Sequence, residues 1–465
     1  MNVIDFFGWL IFLYMIGASV FYFVLFLLSA ITLRRERGLN QKVPYDDLLV
    51  SRDTKPISIL VPAFNEEAGV VSSVRSLLSM NYPEYEIIVI NDGSTDETLT
   101  KMINAYKMEP VTMTVRKQVL SKEIIGIYRS TLFENLVVVD KLNGGKADAL
   151  NAGINTSRFP YVCSLDGDSM LEPDALLKAM KPIIDSNEQV IATGGSVRIA
   201  NGCRIEKGEV MNVNLPRNPI VTLQIIEYLR AFLIGRVSLS KHNLLLIISG
   251  AFGVFNKGWV VKAGGYKQDT VGEDMELVVR LHKVLAEEKS NKQIRYIPDP
   301  VCWTEAPDSL AILRRQRTRW QRGLFETLRT HYKMLLNPKY KKVGFISMPY
   351  FVLIELLGAV IEGLAYLYII LGLLFSFIPI ELSVMLLVVT WFYGSYISMC
   401  GVLLEEWSLK RYPKKRHLLT LFFYASTEMF WYRPLNIWWR IQGLWQGIRK
   451  RSDWGVMTRK GISKE

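Results

Sequence analysis

The sequence predicts an α/β domain with a mixed, mostly parallel sheet, joined to a set of membrane helices. Three observations carry this. Short apolar runs alternate with helical periodicity between residue 55 and about residue 305, apolar blocks of membrane-spanning length lie on both sides of that region, and acidic clusters stand at the ends of its elements. A positive mean hydropathy of +0.17 beside 22% charged residues and a net charge of +12 means that apolar and charged blocks are segregated. That pattern excludes a disordered or collagen-like chain. Cys163, Cys203, Cys302 and Cys400 lie far apart with no CxxC pair, so neither a disulfide framework nor a thiolate zinc site is indicated, and a reducing compartment is expected.

Phe6–Ile31 is uncharged and rich in Phe, Leu, Ile, Val and Tyr, enough to cross a hydrocarbon core of roughly 30 Å as a helix. A secretory signal peptide would need a basic leader, which Met1–Asp5 lacks. Arg34, Arg35 and Arg37 follow the helix, so the positive-inside rule puts the central block in the cytoplasm. Ser347–Ile380 and Leu382–Leu404 read as antiparallel membrane helices around a tight outer turn at Ile378–Glu381. Leu418–Gly447 is apolar but interrupted by Arg433 and Pro434. Because Trp407–Glu465 holds 13 Lys or Arg against 3 Asp or Glu, a full crossing would strand a basic tail outside, and a broken or re-entrant hairpin with a cytoplasmic tail is favoured. Glu355 and Glu362 fall inside the apolar block. They read equally as carboxylates bonded to neighbouring helices and as part of a polar conduit.

In the central block, Ile57–Pro62 reads as a buried strand, Glu67–Met80 as a helix and Glu86–Ile90 as a second strand, the start of a βαβ unit. Further strands are expected at Val111–Val119, Leu136–Val139 and Tyr161–Leu165, and helices at Lys146–Asn155 and Glu273–Glu287. No GxGxxG follows the first strand and no GxxxxGK[ST] occurs, so dinucleotide and P-loop sites have little support. Asp92, Asp166–Gly167–Asp168 and Glu273–Asp274 each stand at an element end. Any one alone is an ordinary turn or cap. Asp166 and Asp168, either side of a glycine, suit Mg2+ or Mn2+ completed by substrate phosphates, with a diphosphate as the natural partner. Asp274, at a helix amino terminus, is the candidate base.

An amphipathic helix is expected from Asp308–Ser309 to about Leu336, with Gln316, Arg319 and Trp320 on one face. Taken alone it reads as a helix lying on anionic lipid. Beside a metal-diphosphate site, its guanidiniums also suit a departing nucleotide diphosphate and its indole suits a sugar ring. Both roles fit on different faces.

Together, Pro62–Ala63–Phe64–Asn65–Glu66, Asn91–Asp92–Gly93–Ser94–Thr95–Asp96, Asn143–Gly144–Gly145–Lys146–Ala147, Asp166–Gly167–Asp168, Gly272–Glu273–Asp274 and Gln316–x–x–Arg319–Trp320 stand in the order seen in processive family-2 glycosyltransferases. The chain resembles the membrane synthases of poly-N-acetylglucosamine, hyaluronan, chitin and cellulose, by motif over residues 55 to 340 and by arrangement in the flanking segments. The resemblance implies a GT-A-like nucleotide-sugar-binding domain. It implies donor contacts at Ala63, Asn65, Glu66, Asp92, Lys146, Asp166, Gln316 and Arg319, and a metal at Asp168 with Asp166. Acceptor contacts fall at Trp320, Glu273 and, more loosely, Ser249 and Gly250, with Asp274 as general base. Gly272 stands where the family usually has Thr.

The expected domains are an N-terminal transmembrane helix (1–33), a cytoplasmic catalytic domain (34–307), an interfacial helix (308–340), C-terminal transmembrane or re-entrant helices (341–448) and a basic tail (449–465). The leading expectation is a multi-pass plasma-membrane enzyme that elongates a β-linked polysaccharide from a UDP-sugar by direct, inverting displacement and passes it through its own helices. Overall layout favours UDP-N-acetylglucosamine. The implied partners are the donor, the growing polysaccharide and membrane lipids, with a small membrane or secretion subunit left open. The alternative is a non-processive transferase acting on a lipid carrier, which shares the donor site. An idle scaffold is disfavoured by the acidic positions at 92, 166, 168 and 274. Nucleic-acid binding has only the net charge behind it, and lipid headgroups account for that more simply.

Overall fold

The computed structural model describes residues 3–40, 45–167, 169–206, 209–375, 380–412 and 414–449. The chain divides into two units. Among the described residues, one holds Leu39–Val213 and Leu245–Ala306, and the other holds the N-terminal helix through Gly38, Asn214–Leu244 and residues 307–449.

The first unit is built on strands β1 (Ile57–Ala63), β2 (Tyr85–Asp92), β3 (Met108–Pro110), β4 (Ile124–Ser130), β5 (Leu136–Lys141), β6 (Tyr161–Leu165), β7 (Met170–Leu171), β8 (Val190–Ile199), β9 (Arg204–Glu206), β10 (Glu209–Asn212), β11 (Phe252–Asn256) and β12 (Gln293–Thr304). Ten of them form one sheet in the order β3-β4-β5-β2-β1-β6-β11-β8-β12-β7, and β9 and β10 pair as a separate ribbon. β1, β2, β5 and β6 run parallel, with Ile57 opposite Tyr85 and Tyr161, and Ile87 opposite Leu136. Their unbroken apolar runs are those of strands covered on both faces; Ile57, Ile59, Leu60, Ile87 and Val139 are fully buried. The Lys146–Thr156 helix lies against β1 and β2, close enough that a Cβ on Gly153 would sit 3.0 Å from Ile90. Because the chain lays β2 on one side of β1 and returns as β6 on the other, the strand order reverses at β1. The carboxyl ends of β1, β2, β5 and β6 therefore gather at a switch point, where α/β sheets bind ligands.

One expected strand is absent. Val111–Val119 alternates as predicted but is not a strand: Val111 N still donates to Ile127 O of β4 at 2.9 Å, while at the far end Gln118 N and Val119 N donate to Asn155 Oδ1 at 2.8 and 3.0 Å, and Asn155 Nδ2 donates to Val119 O. The strands fall on either side of it, at β3 and β4.

Among the described residues of the second unit, three helical stretches are long and apolar enough to cross a membrane: Phe6–Arg35, Val343–Phe375 and Ser383–Ser408. The second opens with π-helical turns at Val343–Ser347 and Phe351–Leu356. Ile378 and Pro379 of the expected outer turn lie outside the described residues. Leu418–Gly447 is broken earlier than expected, by a 3-10 turn at Glu428–Phe430 between helices Lys415–Thr427 and Tyr432–Ile448; Arg433 and Pro434 lie in the first turn of the second helix, where proline is tolerated. Both membrane-region carboxylates bond to neighbouring helices. Glu362 takes a two-pronged bond from Arg433 at 2.8 and 2.9 Å, and Glu355 accepts from Tyr22 and Tyr350. Asn214–Leu244, which the sequence does not single out, supplies a further helix at Pro219–Leu229.

Candidate functional site

The loops after β1 and β2 are fastened to one another. Asn65, held at φ 54°, accepts from Thr95 N at 2.8 Å and donates its own amide to Ser94 Oγ, and Glu66 N donates to Thr98 Oγ1. Ala63 ends β1, fully buried. Asp92, at the end of β2, does not present a free carboxylate. Its Oδ1 accepts from Lys141 Nζ at 2.6 Å and from Gly144 N at 2.9 Å, and its Oδ2 accepts from Gly145 N at 2.7 Å. Lys141, wholly buried, also reaches Asp148 Oδ2 at 2.5 Å. Two carboxylates around one buried ammonium thus hold the Gly144–Gly145 turn, and a Cβ on Gly144 would collide with Asp148.

That turn aims Lys146. Its Nζ lies 2.6 Å from Asp166 Oδ1, directly beyond β6, and 3.1 Å from Glu273 Oε1. Burial works against its charge, but Asp166, Glu273 and Asp274 together raise its pKa well above the ordinary lysine range. Burial lifts the Glu273 carboxyl, the adjacent Asp274 adds to the rise, and Lys146 offsets it in part. Asp274, in the first turn of the Glu273–Glu287 helix, accepts from Gly250 N at 2.9 Å. A Cβ at Gly250 would lie 2.7 Å from Lys146 Nζ and 3.5 Å from Asp274 Oδ2, so glycine is what lets this loop close over the cluster. Ser249 Oγ accepts from Ala251 N within the same loop. The first unit therefore brings Asp166, Glu273, Asp274, Gly250 and Lys146 into one cluster, with Asp92 behind it through the Gly144–Gly145 turn.

Asp168 lies outside the described residues. Asp166 still tests whether a divalent cation suits the position: its carboxylate already holds a cationic group, its donors are hard oxygens, and a Cβ on Gly167 would sit 3.2 Å from Pro62 O. Among the described residues no three His, Cys, Asp or Glu group together as a metal cage. The residues fit a hard cation completed by phosphate oxygens.

In the second unit, Ser309 caps the Leu310–Thr330 helix. Gln316 and Trp320 lie on the predicted face, Trp320 well exposed, with Arg319 beside them. The sequence reading missed Arg317, an unassigned position of the motif. It is buried, pairs with Glu227 Oε2 at 2.7 Å and lies 4.3 Å from the Trp320 ring. Lys141 and Asp148 were missed as well. A lysine closing a buried apolar strand just before a double glycine was the available signal.

Residues 55–323, more than half of the chain, match the family described as "Glycosyltransferase like family 2". This chain is a member of that family. As a family-2 protein it is a glycosyltransferase, and residues 269–412 also match the family described as "Chitin synthase". Among its relatives are poly-beta-1,6-N-acetyl-D-glucosamine synthases. One from Staphylococcus epidermidis is 26% identical over 431 residues, covering 90% of this chain and 88% of the relative. One from Staphylococcus aureus is 28% identical over 363 residues, covering 76% and 75%. A mannosyltransferase from Pyrobaculum calidifontis, solved with GDP-Man and Mn2+, superposes at a TM-score of 0.53 with 16% identity, over 90% of this chain and 99% of that one. That likeness gives this glycosyltransferase its GT-A fold.

Proposed function

We propose that this glycosyltransferase is a processive, inverting synthase that elongates a β-linked polysaccharide from UDP-N-acetylglucosamine and passes it across the plasma membrane. The observation that carries the reading is the cluster of Asp166, Glu273 and Asp274 around Lys146, in a chain whose similarity to polymer synthases extends through its apolar helices. In this reading residues 34–307 form a cytoplasmic catalytic domain, flanked by transmembrane and interfacial segments at 1–33 and 308–448, with a basic tail at 449–465.

Asp274 takes the proton of the acceptor hydroxyl, the Gly250 amide holding its carboxylate in place. As the acceptor oxygen bonds to the anomeric carbon from the opposite face, the bond to the diphosphate breaks, and UDP leaves with the electron pair. Lys146 and Arg319 stabilise that leaving charge, and Gln316 orients the diphosphate. Asn65, Glu66 and the Asp92-held turn shape the nucleotide side, and Trp320 meets the acceptor sugar. Asp166 and Asp168 are the residues to hold Mg2+ or Mn2+, which when bound neutralises diphosphate charge.

Incubating purified protein with radiolabelled UDP-N-acetylglucosamine and Mn2+ should yield long polymer. Products extended by a single sugar, or extractable with lipid, would overturn processivity and favour a lipid-carrier acceptor. Release of UDP from a different UDP-sugar alone would overturn the donor.

A further inference from the structure

The Leu310–Thr330 helix carries a basic side chain that the family motif leaves unassigned. Arg317 sits between Gln316 and Trp320 and is only 3% exposed, whereas Arg314 and Arg315 just before it on the helix are exposed. A buried guanidinium needs a counter-charge and hydrogen-bond acceptors to offset lost hydration. Both come from defined partners. Its Nη2 donates to Glu227 Oε2 at 2.7 Å, and the same oxygen accepts from Tyr432 Oη at 2.9 Å. Burial alone would lower its pKa, but Glu227 and its tyrosine neighbours raise it further above the ordinary arginine range.

The rest of the guanidinium is directed at the motif itself. Its Nη1 donates to Gln316 Oε1 at 3.3 Å. Its central carbon lies 4.3 Å from the centre of the Trp320 ring, within the range where a cation is held against an indole face. Tyr228, next to Glu227 in sequence, puts its own ring 6.4 Å from Trp320 at 35°. Trp320 is 44% exposed, and an exposed indole on a helix samples several rotamers unless something fixes it.

We propose that Arg317, anchored by Glu227 and Tyr432, is a positioning residue that holds the Trp320 indole in one fixed arrangement for the incoming acceptor end. The inference rests on the proposed role of Trp320 at the acceptor. Arg317 touches neither sugar nor diphosphate. It acts because a planar fork can bond a carboxylate on one edge, an amide on the other and an indole across its face. A lysine keeps the charge but cannot do all three.

The test is R317K, which preserves the ion pair with Glu227, measured beside E227Q, which preserves the hydrogen bonds from Arg317 and Tyr432 without the charge. Full-length protein is assayed with UDP-N-acetylglucosamine and a short β-linked oligosaccharide acceptor. For R317K the acceptor KM is expected to rise about tenfold while the donor KM moves less than about threefold, and the polymer should shorten. In a W320F background, R317K should add less to the acceptor KM than it does in wild type, because the phenylalanine ring keeps only a weaker contact with the cation. E227Q should show a smaller acceptor effect than R317K. An R317K enzyme with wild-type acceptor KM and product length, or with an effect that adds fully to W320F, overturns the proposal. If R317K does not fold, E227Q in the same W320F cycle decides it. A wild-type enzyme that transfers only one sugar overturns the processive reading, and the acceptor KM values then decide the pair separately.

Discussion

Lys146 places its ammonium 2.6 Å from Asp166 Oδ1, so the carboxylate beyond β6 is neutralised by the chain's own cation. A divalent ion arriving at Asp166 without nucleotide must compete with that lysine, whereas a diphosphate offers Lys146 another anionic partner.

K146M should therefore bind Mn2+ several-fold more tightly than wild type in the absence of nucleotide, on the order of 1 kcal/mol, because a like charge is removed from beside the carboxylate. Electron paramagnetic resonance of free Mn2+ reads this directly. Unchanged or weaker binding would mean that Lys146 does not guard the position. Turnover should fall at the same time, since a cation for the leaving diphosphate is lost.

Asp274→Asn keeps the side chain's size and its bond from Gly250 N but removes the proton acceptor. UDP binding by calorimetry should stay within about twofold while kcat drops by at least about a hundredfold. Retained turnover would remove Asp274 from the role of base.

Gly250→Ala places a methyl group 2.7 Å from Lys146 Nζ. The long lysine side chain can swing away, so the fold should survive with a melting temperature within a few degrees. Its displacement from Asp166 and Glu273 should still lower kcat by about ten- to a hundredfold. Wild-type kcat would show that the loop does not close over the cluster during turnover.

Lys141→Met leaves Asp92 and Asp148 as buried carboxylates without their shared ammonium. Removing one partner from such a group costs about 3–5 kcal/mol. Denaturant unfolding of the variant should show a loss of that size, and limited proteolysis should cut first around Gly144–Gly145. A variant as stable as wild type would mean that the turn is held by packing alone.

His282 gives the fold a pH dependence. Burial pushes its pKa down to about 4, against a smaller upward pull from its bond to Leu245 O at 2.8 Å. The folded state therefore keeps the ring neutral where the unfolded chain, with a pKa near 6.5, takes up a proton. Its share of stability is intact above about pH 6.5 and is lost as pH falls towards 4, up to about 3 kcal/mol. Thermal melts over this window should show a falling melting temperature that His282→Gln flattens. An equal slope in both proteins would rule out the histidine as its source.

The parallel half of the sheet could be read in the sequence because β1, β2, β5 and β6 are short, apolar and followed by turn residues. The other half could not. β8 is interrupted by Gly194 and Gly195, and β12 carries Pro298 and Pro300 with register shifts around Pro300, so neither shows a strand's usual signature. Val111–Val119 misled in the opposite direction: it meets β4 only at Val111, and its last two amides bond to Asn155 rather than to a strand. At the site, residue types at element ends pointed to Asp166, Glu273 and Asp274. Local pattern could not reveal that Asp92 is spent on a turn, or that Arg317 finds Glu227 ninety residues away, since both depend on which segments meet in space.

The bidentate pair of Glu362 and Arg433 joins the Gly358–Phe375 helix to the Tyr432–Ile448 helix, 71 residues further along. A carboxylate or guanidinium left alone in hydrocarbon is costly, and pairing removes most of that cost. The span bearing Glu362 thus leaves the ribosome before its counter-charge has been made. The pairing of the two helices therefore has to wait for synthesis of both. A chain ending ahead of Arg433 would expose an uncompensated acid to membrane quality-control proteases.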